Sequence, residues 1–332
     1  MLNIYSVKNR MKNKTIDSLY ILKALAMIFV LLIHFKLAGK QYIEPIFRTG
    51  VPIFFVISGY FLYSSSKEKL KQKIYKSIKK IILLIIFFQT IYAVFNIYIN
   101  ISQYEFNNFS FWMRLIVYGD NISGHLWFLN SYLWALVFFL LCVYIGVLST
   151  SFYISVFVIF LIICFSFGQY KPILGLMFDY KDFYIPYIFL SVPLFIAGFL
   201  CRKYENKLCD VIGKKIIFLL LVSIILCYTE HRILSYLSIY SGNVMISTCI
   251  LTIVLLMTSL IYKKYFQSRY RYLVNLGQYH SANIYYWQFI PSYFVVKMLD
   301  NSLLADYNFI FVFFVLLLWS YFINKITNHI KR

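Results

Sequence analysis

The chain has 332 residues, of which 61% are hydrophobic and only 13% charged, with a mean hydropathy of +0.74. A soluble protein is nearer a quarter charged, so the composition excludes an ordinary water-soluble enzyme and points to the membrane class. The net charge of +20 would suit nucleic acid, but the basic residues are spaced between apolar runs rather than gathered into a patch, which excludes that partner.

No Asp, Glu, Lys or Arg occurs in 49–66, 81–104, 183–201, 233–262, 272–296 or 307–324. The longest such gap, 121–170, holds two spans turning at Ser149-Thr150-Ser151, because about 20 apolar residues cross the hydrocarbon core. Only helices or closed barrels satisfy the backbone inside lipid, and runs such as 81–88 and 310–318 lack a strand's alternation. The expected fold is therefore all-α: a polytopic helix bundle of about ten transmembrane helices with no soluble domain. In chain order the spans fall near 17–36, 47–65, 79–99, 125–148, 152–169, 186–201, 215–229, 243–262, 276–296 and 307–324, the sixth and seventh being short. Residues 1–16 read as a basic tail, 17–324 as the membrane domain and 325–332 as a second tail. The outward loop 100–123, with Tyr104, Phe106, Phe109, Phe111 and Trp112, is expected at the membrane interface.

Alternate segments carry the basic residues: four in the N-terminal tail, seven in 67–80, five in 202–215, four in 263–271 and three at the C-terminus. These 23 oppose eight in the other segments, with Lys23 inside the first span. The positive-inside rule then sets both termini in the cytoplasm. The first apolar run is too long for a signal peptide's core. The six cysteines are scattered without a C-x-x-C pair, so neither zinc nor a disulfide framework is expected.

Ionisable groups inside a membrane are costly and mark function. Lys23 and His34 lie eleven positions apart, or 20° beyond three helical turns, so both project from one face about 16 Å apart along the axis. Snorkelling of Lys23 to headgroups and a hydrogen bond from His34 to a neighbouring helix are the plainer account. The second span, Val51-Pro52-Ile53-Phe54-Phe55-Val56-Ile57-Ser58-Gly59-Tyr60, puts a hydroxyl and a glycine at mid-membrane, where helices or a ligand can come close. Lys76 and Lys79, one turn apart ahead of the third span, set topology or hold a phosphorylated cofactor.

K-x10-H, the V-P-I-F-F-V-I-S-G-Y segment, the basic run, Gly124-His125-Leu126-Trp127-Phe128-Leu129 and Leu276-Gly277…Ser281…Ile284-Tyr285 occur in this order. Together they resemble the acyltransferase-3 family of membrane-bound sugar O-acyltransferases. The resemblance implies transfer of an acyl group, often acetyl, from cytoplasmic acetyl-CoA or another acyl-CoA to a hydroxyl of a cell-surface glycan or lipid-linked sugar in a bacterial inner membrane, with no metal. It implies catalysis by His34 as base or as a transient acyl carrier, with Lys23 stabilising charge. Lys76 with Lys79 or Lys80 would meet the CoA phosphates, and Ser58, His125, Trp127, Tyr285 and Gln288 would line the substrate pocket. Tyr20 stands where the family has Asp, with Asp17 one turn earlier, and Gln288 stands where it has a second histidine. The competing class is a flippase or exporter of lipid-linked sugar, since midplane ionisable groups also mark transport paths.

Overall fold

The computed structural model describes residues 17–100, 107–113, 115, 122–175, 186–239, 244–266, 270–300, 302 and 304–330. Among them there is no strand, and seven helices are long and apolar enough to cross a membrane. The chain is an all-α polytopic membrane protein. It divides into two compact units, Met1–Ile57 with Tyr204–Ile233 and Val244–Arg332, and Ser58–Lys203 with Leu234–Asn243.

In the first unit α1 spans Asp17–His34 and α2 begins at Gly50, running to Leu62 across the unit boundary. Leu19, Ile21, Leu22, Ala24, Ala26, Met27, Val30 and Leu31 are all buried, so α1 is packed around most of its circumference, with Leu25 exposed. Two close approaches depend on small residues. A Cβ on Gly277 would stand 1.8 Å from the Tyr20 carbonyl oxygen, and one on Gly50 would stand 3.0 Å from that of Ala26. Asp17 opens α1 and lies six residues before Lys23, hence about 240° round the helix. It cannot take the place that Tyr20 leaves without an acid.

The second unit holds α3 (Lys67–Tyr98), α4 (Trp127–Ile145), α5 (Thr150–Phe167) and α6 (Pro186–Lys203). The expected turn between the two spans of the long uncharged run is present. α4 ends at Gly146 with φ +85°, and Ser149 caps α5 by accepting from the Phe152 N–H at 3.3 Å. A Cβ on Gly59 would lie 2.0 Å from the Phe195 carbonyl oxygen, so this glycine permits α2 and α6 to touch backbone to backbone. Phe139, Tyr153 and Phe199 tie α4, α5 and α6 together with ring centroids 5.2–5.5 Å apart.

Back in the first unit, α7 starts at Ile216 and runs to Tyr236, past the unit boundary at Ile233, and α8 covers Ile246–Ile261. Glu230 of α7 accepts from the Ser247 and Ile246 backbone N–H groups, at 2.7 and 3.2 Å, supplying partners for the open end of α8. Glu230→Ala is therefore expected to lower stability by about 1–2 kcal/mol. A fall in the melting temperature of the purified protein in detergent would register it.

Every expected span has a helical counterpart, with four differences. The seventh is not short, since α7 runs on to Tyr236. The third starts at Lys67, not 79, because the lysine run is itself helical behind the Ser66 cap. At 32 residues α3 is about 48 Å long and outreaches a hydrocarbon core of about 30 Å, so its charges need not enter lipid. The ninth is broken into Arg271–Asn275, a π-helical segment Leu276–His280, α9 (Ser281–Trp287) and α10 (Phe289–Leu299). Pro291 has no N–H for the Trp287 carbonyl, which accounts for the break at Gln288. The last, α11, runs over Asn308–Ile330, through most of the segment expected as a tail. The N-terminal tail, with Tyr104 and Phe106 of the expected interfacial loop, lies outside the described residues, while Phe109 and Trp112 are exposed.

Candidate active site

Lys23, His34, Tyr285 and Gln288 belong to the first unit, and Ser58, Lys76, Lys79, Lys80, His125 and Trp127 to the second.

In the first unit His34 is the last residue of α1. Its imidazole meets Phe289 edge-on at 5.1 Å between centroids, and Phe289 also lies 6.2 Å from Phe35. The ring itself is exposed. Its position is fixed from behind. The Lys36 N–H donates to Asn308 Oδ1 at 2.7 Å, and the Phe309 N–H donates to the Lys36 carbonyl at 3.0 Å, clamping the end of α1 to the start of α11. Lys23 lies eleven residues back along the same unbroken helix and is half-buried.

Gln288 sits in the break between α9 and α10, beside Phe289. It is fully buried, and neither its Nε2 nor its Oε1 has a hydrogen-bond partner among the described residues. Burying an amide unmet is expensive, so such a group in an interior needs an explanation, and a ligand supplies one. Tyr285, one turn earlier, is buried with its ring 6.3 Å from Phe54.

Outside the expected set, Lys40 extends its ammonium onto the Leu32, Ile33 and Phe35 carbonyls at 3.1, 3.4 and 2.9 Å, capping α1. Burial holds Lys40 below the ordinary lysine value, Glu44 partly offsets this, and Arg48 adds to it. A polar chain at the π-helical segment was equally absent from the sequence reading. His280 Nδ1 lies 3.0 Å from Ser320 Oγ, and Asn324 joins Asn283 at 2.8 Å and the Tyr279 carbonyl at 2.9 Å. It ties the broken segment to α11, and π-helical turns recur at functional sites.

In the second unit Ser58 is hydrogen-bonded to Tyr132. His125 is buried, 2.9 Å from Ser123 Oγ and edge-on to Tyr92 at 4.9 Å, and Trp127 stacks on Tyr187 at 4.5 Å. Lys76, Lys79 and Lys80 lie on the exposed face of α3, opposite the buried stripe of Ile74, Ile81 and Phe88. With Leu83, Leu84, Ile86 and Phe87 they line an open groove of about 870 Å³, walled by α3 alone. At the end of α2, Lys73 Nζ donates to the Phe61 and Tyr63 carbonyls at 3.0 and 2.7 Å, and Arg202 donates to Tyr60 Oη at 2.7 Å.

An all-α chain with seven helices long and apolar enough to span a bilayer among the described residues defines a multi-pass membrane protein. Residues 16–325 match the family model described as an acyltransferase domain. The chain belongs to the acyltransferase-3 family and is a membrane acyltransferase. Comparison with curated proteins gives no match, and neither does comparison with solved structures.

Proposed function

We propose that the protein moves an acyl group, in the first instance acetyl, from cytoplasmic acyl-CoA to a hydroxyl of a cell-surface polysaccharide or lipid-linked glycan, in a bacterial cytoplasmic membrane with both chain termini inside. The observation that carries this reading is His34: an exposed imidazole at the end of α1, with the buried, unmet amide of Gln288 next to the Phe289 ring that it touches. His34 takes the proton of the acceptor hydroxyl as its oxygen attacks the thioester carbonyl carbon. The C–S bond breaks, CoA leaves as thiolate, and the imidazolium returns its proton to that sulfur. The amide of Gln288 orients the acceptor or holds the carbonyl oxygen, where its donor is worth most as charge develops. Lys23 adds positive charge on the donor side of α1.

Lys76, Lys79 and Lys80 meet the phosphates of CoA in this scheme. They are exposed, and lysine binds phosphate as a point charge. Exchanging all three for glutamine is expected to raise KM for acyl-CoA by about tenfold or more, with kcat little changed, since each charge-assisted contact contributes roughly 1.5–3 kcal/mol when fully made. An unaltered KM would assign these lysines to lipid headgroups. The function itself is tested by NMR of surface polysaccharide from wild-type and deletion strains. Loss of an O-acyl signal is the expected result, and an unchanged signal with glycan trapped inside the cell would point to transport.

A further inference from the structure

At the end of α1, in the first unit, Lys40 lies on the carbonyls that flank His34. The short helix Glu44–Phe47, which leads into Arg48, packs on α1 through Phe47 and Phe29, with ring centroids 5.4 Å apart. The donors of Lys40 are taken up by the three carbonyls that close α1, so this cation serves the helix end. Arg48 differs. Its Nη2 is ion-paired with Glu44 one turn back, while its Nε is buried and meets no acceptor among the described residues. A guanidinium offers five N–H donors in a planar fork that matches carboxylate and phosphate oxygens. Two cations against one carboxylate leave this end of α1 net positive. Neither the proton transfer at His34 nor the amide of Gln288 makes use of that charge.

We infer that the acyl acceptor is an acidic glycan, carrying a carboxylate or phosphate on the acylated sugar or its neighbour, and that Arg48 holds this anion while a hydroxyl of the sugar meets His34. The inference rests on the acyl-transfer reading and narrows its acceptor. Glu44 occupies one side of the guanidinium in the absence of substrate, as an internal competitor, while the buried Nε has an oxyanion as its fitting partner. Such a contact acts on recognition and not on the chemical step, so its signature is in the acceptor's KM.

The test uses full-length protein in nanodiscs and the polysaccharide that loses its O-acyl groups in the deletion strain. That glycan is offered as acceptor in its native form, after carboxyl reduction, and after dephosphorylation. Wild-type protein is expected to lose about tenfold or more in kcat/KM, through KM, on whichever treatment removes the anion, which also identifies its source. Arg48→Gln should lose a similar factor on native glycan, no longer distinguish native from neutralised acceptor, and leave KM for acyl-CoA unchanged. Glu44→Gln retains the guanidinium without its internal competitor, so KM for native acceptor should fall. A merely structural ion pair predicts instead that Glu44→Gln damages turnover of all acceptors alike. A neutral repeat unit, equal KM for native and neutralised glycan, or a raised acyl-CoA KM in Arg48→Gln would each overturn the inference while acyl transfer itself still stood. A deletion strain that keeps every O-acyl group would overturn the acyl-transfer reading, and this one with it.

Discussion

Replacing His34 by alanine is expected to lower the acyl-transfer rate by about 10²- to 10⁴-fold, the range supplied by a positioned general base. The protein should still insert and fold. The ring is exposed and its single ring contact among the described residues is the edge of Phe289, so little packing is lost, while the clamp between Lys36, Asn308 and Phe309 does not involve the side chain. The assay is the O-acyl content of surface polysaccharide together with CoA release by purified protein. His34→Gln is expected to be as inactive, because glutamine hydrogen-bonds but cannot take up a proton. Full acylation by either variant would remove His34 from the chemistry and leave the family's reaction to another group.

The second large effect concerns stability. In Gly277→Val a Cβ would stand 1.8 Å from the Tyr20 carbonyl oxygen and 3.1 Å from the Ala24 nitrogen. In Gly59→Val it would stand 2.0 Å from the Phe195 carbonyl oxygen and 2.8 Å from the Phe195 Cα. These obstacles are helix backbone, which cannot swing aside as a side chain can. Overpacking costs about 1–3 kcal/mol where some relaxation is possible, and both substitutions should reach or exceed the upper end. Gly213→Ala is the control, since a Cβ there meets nothing within 4 Å and its helical backbone suits alanine. Thermal melts in detergent should show marked destabilisation for the first two and none for the third.

The spans were legible because lipid accepts long runs without charge, and such runs can be read without knowing what packs on what. The same rule misplaced the start of α3. It locates where a helix meets lipid, not where the helix begins, and Ser66 ahead of the lysine run was the cue to the earlier start. Pro291 likewise signals the break of the ninth segment, but an uncharged run of ordinary length conceals it. At the site, Lys23 and His34 were readable together because a single helix sets their angular relation. Glu44 and Arg48 have ordinary i,i+4 spacing and could have been paired. Lys40 on the carbonyls of Leu32 and Phe35 could not, since that contact depends on how the chain folds back beyond Phe35. Asn324 with His280, 44 positions apart, and Arg202 with Tyr60, 142 apart, lie further beyond any pattern in the chain.

The length of α3 bears on how a charged donor reaches a membrane at all. A leaflet rich in anionic lipid has a negative surface potential, of the order of −30 mV, that thins out every anion near it, including a multiply phosphorylated one. The seven lysines of 67–80 ride on the part of α3 that outruns the hydrocarbon core, with Lys76, Lys79 and Lys80 exposed. They reverse the sign of the field over a patch about one Debye length across, on whichever side of the membrane that segment lies. Salt should flatten the patch and the leaflet potential together, so donor capture would depend on ionic strength and lipid composition as well as on concentration.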